Sequence, residues 1–214
     1  MKKVIRKIVP YSVRHLIWSI IPKIELLNTY LLQRDNLITE LSPIDSKFEI
    51  RTVTDQDWFA IKNAVDTRGS KTFRQTIPNR MKHPDWIGII VVNTINKEIA
   101  YLSWIISQNI QFFKEFGIKP NNKQFFLKDI YVVPKYRKQG LNKRMEQERI
   151  NYCINNGAKE IFIQIHQTHP IMNKIAVKNG YKLYNQKWVM HWPIFNVYRA
   201  LNAFLKRPFQ KIIK

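Results

Sequence analysis

Cysteine is almost missing from this 214-residue chain, which has only Cys153. A lone thiol excludes an internal disulfide and any cysteine-based metal framework, so a reducing, cytoplasmic setting is expected. Glycine is scarce as well, at six residues. With 45% hydrophobic and 13% aromatic residues, this excludes a disordered tail and implies a chain that builds a core. No apolar run reaches the roughly 18 residues of a membrane-spanning helix, because Pro22, Lys23 and Glu25 break the first candidate and Arg199 the second. The basic N-terminus lacks a secretory pattern, since Arg6, Lys7 and Arg14 interrupt its apolar residues. The five histidines form no H-x-x-x-H pair, so no metal is expected. Acidic residues are few: 15 against 36 Lys and Arg, for a net charge of +21. Such a surface suits an anionic partner, whether nucleic acid, an anionic membrane surface or a phosphorylated ligand.

Three parts are expected: a basic amphipathic N-terminal helical arm (1–45), a central domain (46–192) and a basic amphipathic C-terminal helix (193–214). In the arm, Ile5, Ile8, Val9, Val13, Leu16, Ile17, Ile20, Ile21, Ile24, Leu27 and Leu31 recur at three- and four-residue steps, interrupted at Pro10 and Pro22. In the tail, Ile194, Val197, Tyr198, Leu201 and Leu205 form a similar stripe. Either stripe can pack on the domain or lie on a membrane surface.

The central domain alternates strand and helix signals. A strand at 48–53 precedes a capping box, Thr54 to Asp57, that opens a helix through about Asp66. A second short helical stretch, interrupted near Pro78, follows between Ser70 and Met81. Strands are expected at 86–93, 99–108, 124–133, 161–165 and 181–192, with a hairpin turn at 94–97. Helices are expected at 140–156, ended by Asn156-Gly157, and 171–179, ended by Gly180.

The strand ending at Val132-Val133, the turn Pro134 to Gln139 and the helix from Gly140 form the segment richest in chemistry. Such a turn aims backbone N–H groups at one point, and the helix adds its positive N-terminal dipole. Arg137, Lys138 and Lys143 add cations, and Gly140 allows an anion to approach the backbone. A diphosphate is the ligand this arrangement suits.

With Arg137 and Gly140 spaced in this way, the segment Val132 to Leu141 resembles motif A of the Gcn5-related N-acetyltransferase (GNAT) superfamily: Arg or Gln, two residues, Gly, one residue, then Gly or Ala. Asn142 departs at the last position. The segment His169 to Tyr181 is similar to the family's late helix closed by Gly-Phe or Gly-Tyr, and the resemblance covers about 48–192. It implies an α/β (α+β) fold with a mixed, mostly antiparallel twisted sheet, flanking helices and two splayed central parallel strands, 124–133 and 160–165. It also implies acetyl-CoA as co-substrate, with pantetheine in the gap and pyrophosphate on Val133, Arg137, Lys138, Gln139, Gly140, Leu141, Asn142 and Lys143. The Val132 N–H would polarise the thioester carbonyl for direct attack by an amine.

Familiar acid and base positions do not carry over. Ala176 stands where many relatives have Tyr, and Phe126 where some have Glu. His166 and His169, after the second splayed strand, are the candidates for proton relay. The acceptor is expected to be a small-molecule, lipid-linked or peptide amine, with the enzyme in the cytoplasm and peripheral on the inner face of a membrane. A homodimer is compatible. A nucleic-acid-associated protein and a non-catalytic CoA-binding regulator stand as alternatives.

Overall fold

The structure, a computed structural model, describes residues 23–33, 41–66, 71–107, 109–192 and 197–200. Among them, strands β1 (Lys23–Gln33), β2 (Phe48–Thr52), β3 (Trp86–Asn93), β4 (Ile99–Ser107), β5 (Gln124–Val132), β6 (Glu160–His166), β7 (Lys182–Trp192) and β8 (Val197–Ala200) form one sheet. Their spatial order is β2-β3-β4-β5-β6-β1-β7-β8. The helices are α1 (Trp58–Asp66), α2 (Lys71–Lys82), α3 (Ile110–Glu115), α4 (Leu141–Asn155) and α5 (Pro170–Lys178). Every strand pairing is antiparallel except β5 with β6.

That parallel pair decides the architecture. Its register runs from Gln124↔Glu160 to Leu127↔Ile163 and stops, while β5 continues to Val132 and β6 to His166. The two strands therefore splay, as expected. Just past the last pair, β5 carries a bulge: Trp104 faces Lys128, Ser103 faces Ile130, and Asp129 between them has φ +43°. The Asp129 carboxylate is held by Arg80 of α2 at 2.6 Å. Arg80 also lies over Trp86, 4.6 Å from the ring centre, so the bulge is fixed from the helix side.

The bulge also sets which side chains share a face. Phe126, Lys128 and Tyr131 pair with Ile106, Trp104 and Leu102 and point one way, with Phe162 beside Phe126. Ile130 and Val132 point the other way. The first face meets α3, whose Phe113 packs with Ile106, Ile118, Phe126 and Phe162. On the opposite face α4 presents Leu141, Met145, Arg149 and Cys153 at four-residue steps, all buried. Removing side chains of this size from water contributes roughly 1.5–3 kcal/mol for each apolar one.

Two expectations are corrected. Residues 23–33 belong not to a helix but to β1, which sits inside the sheet with β6 on one side and β7 on the other. Leu27, Asn28, Thr29, Tyr30 and Leu32 are all buried. A strand covered on both faces has no polar alternation, so its apolar residues also fit a helical spacing, and pairing on both edges decides between the two. At the other end, Val197–Ala200 is an edge strand on β7 and not helix. Its Val-Tyr pair suits a pleated surface. Of the rest of the two terminal helix expectations, 41–45 carries no helix, and 1–22, 34–40, 193–196 and 201–214 lie outside the described residues. Helix α3 was not expected at all; Asn109 caps it by accepting from the Phe112 N–H at 2.8 Å.

Candidate functional site

At the wide end of the splay lies a cleft of about 1290 Å³. Its floor is Ile130, Tyr131 and Val132 of β5, its rim is the turn and first residues of α4, and its far wall is α5. Four cations, Arg137, Lys138, Lys143 and Lys178, line it against one acid, Glu146.

The rim is built by local conformation. A 3-10 turn, Pro134–Tyr136, leaves β5, and the chain then passes Lys138 at φ +63° and Gly140 at φ +75° before α4 begins. Glu98, at the end of the β3–β4 turn, anchors this turn: it accepts from the Tyr136 hydroxyl at 2.7 Å and pairs with Lys135. Asn96 donates to the same hydroxyl at 3.0 Å. Sequence reasoning missed Glu98 and Asn96, since short-range patterns do not reveal which turn meets which. The outer wall is tied down similarly. Arg144 donates to the Ser42 carbonyl at 2.6 Å, and Gln147 accepts from the Ser42 N–H at 2.8 Å.

Lys143 N–H bonds to Gly140 O at 3.1 Å, but the N–H groups of Leu141 and Asn142 precede any intrahelical acceptor. Those of Gln139 and Gly140 have no protein partner among the described residues. A Cβ built on Gly140 would meet nothing within 4 Å. The space above the glycine is thus open, bordered by backbone donors and cations, which is the environment phosphate oxygens require.

Val132 adds the second feature. The Val133 N–H donates to Ala100 O at 3.0 Å, so the antiparallel alternation turns Val132's own N–H and C=O away from β4 and into the splay. Its carbonyl accepts from Arg137 Nε at 3.2 Å. The N–H is directed to the gap, where β6 no longer offers a partner.

Of the residues expected to bind, Val132, Arg137, Lys138, Gly140, Leu141, Asn142 and Lys143 come together on the cleft. Val133 does not: it is buried, with its N–H committed to Ala100. Gln139 turns its side chain to the Lys135 carbonyl at 3.3 Å, leaving only its backbone to the rim. His166 and His169 do not line the cleft. They stand at the end of β6 and the start of α5, with ring centres 5.7 Å apart. Asn173 of α5 gathers that corner, donating to both histidine carbonyls (3.0 and 2.8 Å) and accepting from Asn28 and Tyr30 of β1. On the face away from α4, Lys128 lies over Phe112 and Phe116 at 5.4 and 5.2 Å, and burial pushes its ammonium pKa down.

The sequence profile of the acetyltransferase (GNAT) family matches residues 57–181. The chain belongs to that family. Comparison with curated proteins gives no match. Among solved structures, a functionally unknown conserved protein from Staphylococcus epidermidis is similar with 13% identity and a TM-score of 0.58, covering 85% of this chain and 67% of its own. A GCN5-related N-acetyltransferase from Sphaerobacter thermophilus gives 15% and 0.55, with 86% of this chain but only 56% of its own covered. An aminoglycoside N-acetyltransferase in complex with CoA gives 14% and 0.50, covering 68% and 94%. At these identities the structures share the GNAT fold. Gly180-Tyr181 follows α5 as expected, with Gly180 at φ +86°.

Proposed function

We propose that this GNAT protein transfers an acetyl group from acetyl-CoA to an amine by direct attack. The observation that carries the reading is the convergence of free backbone N–H groups at 139–142 with the gap-facing Val132 N–H on one basic cleft. The rim would hold the pyrophosphate, with Arg137, Lys138 and Lys143 neutralising it. The Val132 N–H would stabilise charge developing on the thioester oxygen, and the apolar floor of Ile130 and Tyr131 would exclude water there. The acceptor approaches from the face that carries Tyr131 and His166, where His166 or His169 takes the proton lost by the amine. Calorimetric titration with acetyl-CoA, followed by acceptor-dependent release of CoA thiol across a panel of amines, tests this. Absence of acetyl-CoA binding would end it.

An anionic membrane surface is the second element of the reading. The net charge of +21 supports it, as does α5, which turns Ile171 and Val177 to solvent beside Lys174 and Lys178. Among the described residues no helix is long and apolar enough to cross a membrane. Co-sedimentation with phosphatidylserine vesicles, compared with RNA binding at matched salt, separates this partner from nucleic acid.

A further inference from the structure

Strand β1 brings an acidic residue to the splay from outside the family's own segment. Glu25 lies 32 residues before the matched region begins at 57, yet its Oε2 stands 3.0 Å from His166 Nδ1. The sheet register explains the meeting. Leu27 of β1 faces His166 of β6, and Gln167 N–H donates to Leu26 O at 2.8 Å, so Glu25 projects on the same face one step beyond the end of β6.

The same register places His166 at the gap. Counting on from Leu127↔Ile163, and allowing one residue for the bulge at Asp129, His166 stands across the splay from Tyr131. Both belong to the face shared by Phe126 and Phe162, opposite α4. The side chains of His166 and Glu25 are 38% and 37% exposed, so solvent and an acceptor can reach them. With Nδ1 3.0 Å from the carboxylate, Nε2 is the nitrogen left for chemistry.

We infer that Glu25 is a positioning residue for His166: it fixes the tautomer with the proton on Nδ1 and presents the Nε2 lone pair to the acceptor amine. The inference rests on the acetyltransferase reading. In the step it serves, Nε2 takes a proton from the acceptor ammonium and the freed amine attacks the thioester carbon. A C–N bond forms, the C–S bond breaks, the attacking nitrogen loses its second proton to solvent as the amide forms, and the departing CoA thiolate is protonated by solvent. The other charged groups on this face among the described residues are His169 in ring contact, Lys187 of β7 beside Leu27, Lys128 of β5 and Glu115 of α3, whose charge acts on both lysines. Lys187 donates to the Glu115 carbonyl and Lys128 rests on phenylalanine rings, which leaves Glu25 as the anion at hydrogen-bond distance from the imidazole among the described residues.

The test pairs a spectroscopic and a kinetic measurement on the full chain. Nitrogen-15 NMR of the neutral imidazole should show His166 protonated on Nδ1; the Nε2–H tautomer would overturn the inference whether or not a substrate is known. With an accepted amine, Glu25→Gln should lower kcat at least about tenfold and leave KM for acetyl-CoA unchanged. The Glu25→Gln/His166→Ala double variant should be no slower than His166→Ala alone. Multiplying losses, or a loss confined to KM for acetyl-CoA, would also overturn it. Failure of the acetyltransferase reading appears elsewhere, as absent acetyl-CoA binding by the wild-type chain.

Discussion

Gly140 and Gly157 form a matched pair that separates ligand binding from backbone strain. Both have left-handed φ, +75° and +84°, and a Cβ at either would meet nothing within 4 Å. Alanine at each position therefore carries the same penalty, about 1–2 kcal/mol for an L-residue in that region, with no clash to add. For a domain of this size, each kcal/mol lowers Tm by about 2–4 °C, so both variants should melt several degrees below wild type and close to each other. They differ in what lies above the new methyl group. At Gly157, past the end of α4, it enters solvent; at Gly140 it enters the space bordered by Arg137, Lys138 and the free N–H groups. Displacing a phosphate from even one charge-assisted bond costs about 1.5–3 kcal/mol, or roughly tenfold or more in Kd. Calorimetric titration with CoA should show that loss for Gly140→Ala and wild-type affinity for Gly157→Ala. Equal affinities in the two variants would refute the placement of the pyrophosphate.

Arg51 holds Asp57 through two bonds of 2.6 and 2.7 Å, and this, against the cost of burial, brings the Asp57 carboxyl down to about 2. Its folded pKa is below its unfolded value, so the stabilisation is full above about pH 4 and is lost as pH falls through about 2. Asp57→Asn should therefore cost about 1–2 kcal/mol at pH 7, discounted for the exposure of Arg51, with the gap to wild type closing in acid during urea titrations. Cys153 is buried and burial pushes its thiol pKa up, so a thiol reagent should label it in denaturant and barely at all in the native protein. Glu98→Ala frees both Lys135 and Tyr136 from their shared carboxylate. CoA affinity should fall several-fold by calorimetry with little change in Tm, since Glu98 is largely exposed.

Local signals carried the reading wherever local physics decides. The Thr54 to Asp57 capping box, the turn before Lys97 and the glycines that close α4 and α5 each act within a few residues, and each is where it was expected. The turn and helix start that rim the cleft were legible for the same reason, since they come from one continuous segment. What escaped was pairing between distant segments. No pattern in Lys23–Gln33 says that β6 and β7 flank it, and without that knowledge Glu25 cannot be linked to His166. The bulge at Asp129 was equally hidden. Uninterrupted alternation would put Tyr131 and Asp129 together opposite Val132, whereas the bulge puts Tyr131 on the face of Phe126 and Lys128.

The position of β1 also governs the order in which the molecule can assemble. Lys23 finds its partner at His191, and Gln33 its partner at Glu160, so the strand made early during synthesis must wait for segments made much later. Until β6 and β7 leave the ribosome, β1 is an apolar segment with two unpaired edges, a state prone to misassociation and slow to resolve. The sheet on the β2-to-β5 side can form from near neighbours, and the other half closes around β1 as a late event. The turn and helix start that rim the cleft can therefore take shape before the Glu25–His166 contact exists, so a chain stalled short of β1 insertion would carry one wall of the cleft without that contact.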